Sequence, residues 1–567
     1  MQQLASEEGL PMSATTSDPV IVVEPFWRTC VLLSGMLTVT LYFTTILVIS
    51  TVLPQIQGTM SATADEVSWL VTFNILATAI ATPLTGWLVA RFGRKGVMCT
   101  CIGGFAVATL MCGFAQSLEE LIIWRVLQGA LGAPTIPLNQ TVLLDIYPKH
   151  RHRFVLGLNG IGVVVGPVIG PTLAGYLTEI YSWRAAFYML VPVCLAAFLG
   201  MLVAMPRDRP AQRIGLDWVG FLSLSLAVGG LQYVLARGQR LDWFESGEII
   251  LSALLALLSF YVFLAHSFTA ARPFLDLRLL GIRNVALGYI LVSLFGMLNF
   301  TPMVLLPTLL RQHVEFPDAL VGWIVGSRGI GGILGFFAAM LIDKLDPRIS
   351  IATGFFLLFI SGLWLLQINL DVTPLEIILN GILQGLSVGI VIVPLAIVTF
   401  SDLDPKHRPE ATGVFHLLRN VASSLFISIC VAEIVRSTGE NYARMAEFVN
   451  PYNKIFSWGA LVGAWDMATV PGVLRLSKEI TRQSAMLAYL NTFGWFTVVA
   501  AIAMPVSLLI GRPKGPSGQA APAAIPTPSA TAVTSSPSRP GQRFRRRSRR
   551  SQVLAATSAL RRSTGSK

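Results

Sequence analysis

Apolar runs of about 20 residues recur along almost the whole chain, and that recurrence limits the fold more than any motif does. About 20 helical residues cross the hydrocarbon core of a bilayer, roughly 30 Å thick. In lipid every backbone polar group needs an internal partner, so runs this long and this continuously apolar are read as helices. They fall near 29–53, 67–89, 97–116, 120–145, 155–177, 185–204, 217–236, 248–268, 284–308, 320–342, 350–368, 374–400, 410–435 and 486–510. The pattern predicts an all-α polytopic membrane protein with about fourteen transmembrane helices. A mean hydropathy of +0.65, with 53% hydrophobic and 13% charged residues, excludes an ordinary soluble globule.

The formal net charge of +12 does not describe the body of the chain. All of the excess lies after residue 510, where 12 Lys/Arg meet no Asp or Glu; residues 1–510 hold 30 of each sign. The tail 511–567 is rich in Pro, Ala, Ser and Thr and ends on basic runs such as RFRRRSRR at 543–550. It reads as a disordered cytoplasmic segment facing anionic headgroups, with no nucleic-acid role. The segment 1–28 is polar and of mixed charge, which is not a signal-peptide pattern. Lys and Arg concentrate in alternate loops, at 91–95, 149–153, 207–213, 272–283, 344–348 and 406–408. Even parity and the positive-inside rule then place these loops and both termini in the cytoplasm; the expected location is the cell (inner) membrane. The long connection 437–485 falls outside, either as a solvated loop or with a short amphipathic helix. The six cysteines sit in or beside apolar runs and suggest neither a disulfide framework nor a metal site.

The run from Gly157 to Leu177 is broken throughout by glycine and proline. Gly162, Gly166, Gly170 and Gly175 fall roughly on one helical face, with Pro167 and Pro171 between them. Small residues at this spacing allow close approach of two helix backbones in lipid. The G-x-x-x-G-P-x-x-G order at 162–170 resembles the antiporter signature of the fifth helix in exporters of the major facilitator superfamily. GWLVARFGRK at 86–95 is similar to that superfamily's loop between helices two and three, with Gly86, Gly93 and Arg94 in place and Ala90 where an acid is usual. AMLIDKLDPR at 339–348 is a degenerate second copy, in which Asp343 keeps the acid; two copies suggest two related halves. LIIWRVLQGALG at 121–132 resembles the fourth-helix motif, with Arg125 at its basic position and Gln128 following.

Trp183–Arg184, LDWVG at 216–220, RGQRLDWF at 237–244, LLPTLL at 305–310 and LLRN at 417–420 extend the resemblance to the fourteen-span drug:proton antiporter branch, of EmrB/QacA type. It implies a six-helix bundle at 29–204, two inserted helices at 205–268 and a second six-helix bundle at 284–510, working by alternating access. It implies proton-coupled export of amphipathic drugs or toxic compounds, with the proton gradient as energy source and no bound cofactor. In a Gram-negative cell it also implies a periplasmic adaptor and an outer-membrane channel as partners, which the sequence itself does not show. Two departures stand out. Thr45 occupies the place of the usual first-helix aspartate, and Ala236 that of the acid in V-L-D-R-G.

Ionisable side chains at bilayer depth are functional candidates by default. Arg125, Arg328 and Arg419 lie well inside apolar runs, whereas acids there are few, chiefly Asp145 and Glu433 near run ends. A cavity with guanidiniums and few carboxylates favours anionic or weakly acidic substrates. The opposing reading gives the arginines a purely architectural role. His416 shares a helical face with Arg419; it reads either as the carrier of a coupling proton, since histidine titrates near neutrality, or as a neutral, hydrogen-bonded side chain beside the guanidinium. Thr45, Gln128, Gln140, Asn299, Gln384 and Asn420 are the polar candidates for the cavity lining. Alternatives to multidrug export are a dedicated exporter of one acidic metabolite, fatty acid or siderophore, and an uncoupled facilitator. A polytopic membrane enzyme needs converging acids, histidines or metal ligands, and D-L-D at 402–404 is the lone D-x-D.

Overall fold

The computed structural model describes residues 24–148, 151–206, 215–270, 273–341, 346–403, 407–450, 453, 465 and 469–511. The chain opens with α1 (Pro25–Thr59), α2 (Ala64–Ala81), α3 (Thr85–Phe92), α4 (Arg94–Phe114), α5 (Leu118–Gly132) and α6 (Thr135–Ile146). α7 (His152–Ile180), α8 (Ala185–Tyr188) and α9 (Leu190–Ala204) complete the first half. α10 (Trp218–Arg237) and α11 (Gly247–Thr269) pack on each other as the inserted pair. The second half runs through α12 (Arg283–Gln312), α13 (Asp318–Leu341), α14 (Pro347–Leu365), α15 (Pro374–Phe400), α16 (Arg408–Ala446) and α17 (Val470–Leu508).

Among the described residues, twelve helices are long and apolar enough to cross a membrane, or thirteen when the bent pair α2–α3 counts as one. α7, 29 residues long, stands outside that count, with Phe154–Val163 as a shorter apolar stretch. The protein is an integral, multi-pass, all-α membrane protein. The bend of 56° between α2 and α3 falls at the break 82–84, which contains Pro83, and proline removes the donor a continuous helix needs there. α2 starts on a capping box: Glu66 N–H donates to Thr63 Oγ1 at 3.2 Å, and Thr63 N–H donates to the Glu66 carboxylate at 2.8 Å. Gly93 joins α3 to α4 at φ 78°, a left-handed turn that glycine adopts without strain.

The halves repeat one packing plan. α1 packs on α7, α2 on α5 and α4 on α9; in the second half α12 packs on α16, α13 on α15 and α14 on α17. The glycine face of α7 lies against α1. A Cβ on Gly162 would stand 2.8 Å from the Met36 carbonyl oxygen, and one on Gly166 would stand 2.5 Å from that of Thr40. One on Gly170 would stand 2.6 Å from Thr44 Cγ2. The interrupted run therefore serves contact between helices within the first half. Gly160 turns the other way, to Phe336 of α13. Each half has its own apolar core, one around Met98, Phe105, Leu138 and Met201, the other around Phe295, Phe355, Val391 and Phe496.

The connection expected as a loop at 437–485 is helical at both ends. α16 and α17 each run 39 residues and cross-link beyond the apolar stretch, Tyr442 Oη to Ser477 Oγ at 3.0 Å and Asn441 Nδ2 donating to the Ser484 carbonyl. Polar residues on a long helix pair read as a loop when apolarity is the only guide. Asp343 and the tail from 512 lie outside the described residues.

Candidate functional site

A cavity of about 600 Å³ lies between the halves. α1, α2, α6, α7, α10, α12, α13, α15 and α16 all contribute to its wall. Much of the lining is apolar, including Phe43, Ile46, Val163, Phe300 and Val388, which suits amphipathic ligands. The charged groups on it are Arg240, Arg328 and Arg419, with His416 beside them; among the described residues no aspartate or glutamate lines it.

Helix geometry sets the depth of these groups. Arg419 is about 16 Å along α16 from Arg408, and Arg328 about 15 Å along α13 from Asp318, each near the middle of a span. The Arg328 guanidinium donates through Nη2 to Asn299 Oδ1 at 2.8 Å, while its Nη1 is buried without a hydrogen-bond partner. Arg419 donates through Nε and Nη2 to Asn420 Oδ1 at 3.3 and 3.2 Å. Its Cζ also lies 6.0 Å from the ring centre of Phe43 and 5.8 Å from that of Phe300, the distance at which an aromatic face attracts a cation. His416 Nε2 lies 2.8 Å from Gln140 Oε1, a hydrogen bond joining α16 to α6 across the halves. Its Nδ1 is buried with no partner.

Six of the expected cavity residues thus meet at one site: Gln140, Asn299, Arg328, His416, Arg419 and Asn420. Four others, Thr45, Arg125, Gln128 and Gln384, sit apart from it. Thr45 is 3% exposed, and its hydroxyl donates to the Leu41 carbonyl within α1. Arg125 and Gln128 lie in the packing of α5 against α2 and α4. Arg125 Nη1 donates to Gln128 Oε1 at 2.6 Å, and Arg125 Nε to the Leu70 carbonyl at 3.4 Å. Gln128 Nε2 passes the chain on to Thr109 Oγ1 at 2.7 Å, and Asn74 Nδ2 donates to the Arg125 carbonyl. α5 turns this face toward its neighbours, so the side chains are spent on helix contacts. Asn299 lines the cavity, whereas Gln384 bonds Asn380 inside α15. Glu433 accepts from Ser437 on its own helix and does not line the cavity.

In α10 and the turn after it, the sequence marks Ala236 as a departure but does not show that this stretch lines the cavity. Gln232 and Ala236 of α10, and Gln239 of the 3-10 turn Gly238–Leu241 after it, line the cavity, and α10 is tied to α16 by Ser424 Oγ donating to Gln232 Oε1 and Ser428 Oγ to the Leu235 carbonyl, both at 2.8 Å. Ala236, the place of a usual acid, is therefore on the wall itself. Asn74, Thr78 and Asn159 line it as well.

The halves also meet at one end of the bundle. Asp145 at the end of α6 pairs with Arg94 of α4 at 2.7 Å and with Arg408 of α16 at 3.1 Å. A Cβ on Gly86 would lie 3.2 Å from Glu410 Cα, so glycine lets α3 approach the start of α16. Glu410 in turn accepts from the Asp276 N–H at 2.6 Å. Arg94 and Gly86 thus belong to a closure between halves, with Asp145 in the central role that Ala90 cannot fill.

Residues 35–427 match the Major Facilitator Superfamily. The chain is 32% identical over 414 residues to the multidrug export protein EmrB of Escherichia coli strain K12, covering 71% of this chain and 79% of that one. It is 29% identical over 469 residues to the EmrB of Haemophilus influenzae, covering 81% and 91%. It is 30% identical over 405 residues to the fatty acid resistance protein FarB of Neisseria gonorrhoeae, covering 70% and 79%. A membrane-embedded cavity between two repeated halves, together with these matches, makes the chain a member of the major facilitator superfamily, in its EmrB-type drug-exporter branch.

Proposed function

We propose that the protein exports amphipathic toxic compounds from the cytoplasm by alternating access, with α7 as its fourteenth span, and that anionic or weakly acidic compounds are its preferred cargo. The observation that carries the reading is the lining: arginines at mid-depth, and no carboxylate among the described residues. Charge complementarity favours an acid head there, and the aromatic and aliphatic wall suits an apolar body. FarB, named for fatty acid resistance, and EmrB, named for multidrug export, are consistent with this cargo.

In this reading the acid head meets Arg328 and Arg419 while the basic loops hold the closure around Asp145 on the cytoplasmic side. Opening to the cytoplasm breaks the Arg408–Asp145 pair and the His416–Gln140 bond, since both cross between halves. The proton gradient supplies the energy, with His416 the titratable group on the cavity wall. A periplasmic adaptor and outer-membrane channel complete the route where the cell has two membranes.

The test is transport of a labelled panel of weak acids and lipophilic cations in inverted vesicles, with and without a pH gradient. Gradient-driven movement of acids, lowered at least about tenfold in Arg419→Ala, is the expected result. Movement of cations alone would overturn the acid preference. Movement of acids without any effect of the gradient would favour the uncoupled reading that Thr45 and Ala236 suggest.

A further inference from the structure

Two of the three cavity arginines, Arg328 and Arg419, have an unusual set of partners. Arg328 bonds Asn299, and Arg419 bonds Asn420 and faces two phenyl rings; neither forms an ion pair among the described residues. Both guanidiniums reach α12 at adjacent residues, Asn299 and Phe300. The Arg328 Nη1 donor is buried with nothing to donate to. A guanidinium stays protonated in a protein, so proton loss cannot discharge the site. Neutral amides and aromatic faces orient a guanidinium but leave its charge in place. Two uncompensated like charges in a cavity of low dielectric demand a counterion.

Alternating access makes that demand recur. Cargo brings its own negative charge on the way out. On the return the cavity must close around both arginines with no cargo present. We propose that a small inorganic anion, with chloride as the test case, occupies the site between Arg328 and Arg419 on the return, so that the protein works as an exchanger of anions. The proposal rests on the reading of the cavity as an acid site, and adds what must fill it when the acid has left. Exchange balances charge: one monovalent cargo anion leaves and one chloride enters. It concerns what occupies the cavity and is separate from what drives the cycle.

The experiment uses the full-length protein in liposomes loaded with radioactive chloride, diluted into chloride, salicylate or gluconate. Exit into chloride or salicylate is expected to be at least about tenfold faster than into gluconate. Arg328→Met and Arg419→Met should abolish the difference, and Arg328→Lys should retain it. Ala236→Asp adds a carboxylate to the same wall. It should bring the ratio toward one with the thermal melting of the purified protein unchanged, which separates loss of the anion from loss of the fold. Chloride exit that ignores the outside anion, or salicylate uptake into liposomes without exchangeable anion, would overturn the proposal and leave acid export standing. Uptake of ethidium with none of salicylate would overturn both.

Discussion

The two halves share a scaffold and differ in where they put positive charge. The triplet LQG occurs at 127–129 in α5 and at 383–385 in α15. Both glycines press on a neighbouring backbone: a Cβ on Gly129 would lie 2.4 Å from the Asn74 carbonyl oxygen, and one on Gly385 would lie 2.0 Å from that of Arg328. Asn74 and Arg328 therefore hold matching places, and by the same register Arg125 matches Gly381. The first half keeps its arginine inside the packing and shows an amide to the cavity. The second half packs with glycine and shows a guanidinium. Repetition thus fixes helix placement and leaves electrostatics free to diverge.

The sharpest contrast is between Arg125 and Arg328. Arg125→Ala strands Gln128 and the Leu70 carbonyl in the core and should lower stability by about 3 kcal/mol, read from thermal melting of the purified protein. Arg328→Ala should leave melting within about 1 kcal/mol of the parent and still lose most acid transport. Equal melting losses in the two variants would mean that the guanidiniums share one structural role. Next in size is the pair Gly129→Ala and Gly385→Ala. Each should destabilise by about 1–3 kcal/mol through overpacking, with the larger loss at Gly385, where the approach is closer. A smaller effect is expected for Asp145→Asn, which removes both ion pairs at the closure. Backbone amides in α3 and the first turns of α16 should exchange with solvent several-fold faster, equivalent to about 1–2 kcal/mol. Unchanged exchange would leave packing such as Gly160 on Phe336 as the holding contact.

Much of this organisation is legible in the sequence because bilayer thickness and hydropathy speak directly to span position. The glycine face at 162–170 announced a close helix contact, and α1 is where it falls. Arg328, Arg419 and His416 were visible as ionisable groups at depth. What the sequence does not reveal is rotation. Arg125, Gln128 and Thr45 are as polar and as deep as the cavity residues, yet face neighbouring helices, and no periodicity of an all-apolar run says which side meets water. The polar extensions of α16 and α17 were obscured for the opposite reason, since span recognition stops where apolarity stops. The LQG repeat did hold unread information: aligning it matches α2 with α13, and hence Asn74 with Arg328.

The wall made by α10 has a consequence for how such a protein changes over time. Gln232 and Ala236 border the cavity from a helix that belongs to neither repeat, and Gln239 from the 3-10 turn Gly238–Leu241 that follows it. A substitution at Ala236 alters the wall without removing a side-chain hydrogen bond, since the tie to α16 runs through Gln232 and the Leu235 carbonyl. A lineage can therefore retune its cargo on this one face, as a lock is rekeyed by exchanging the cylinder and leaving the bolt alone.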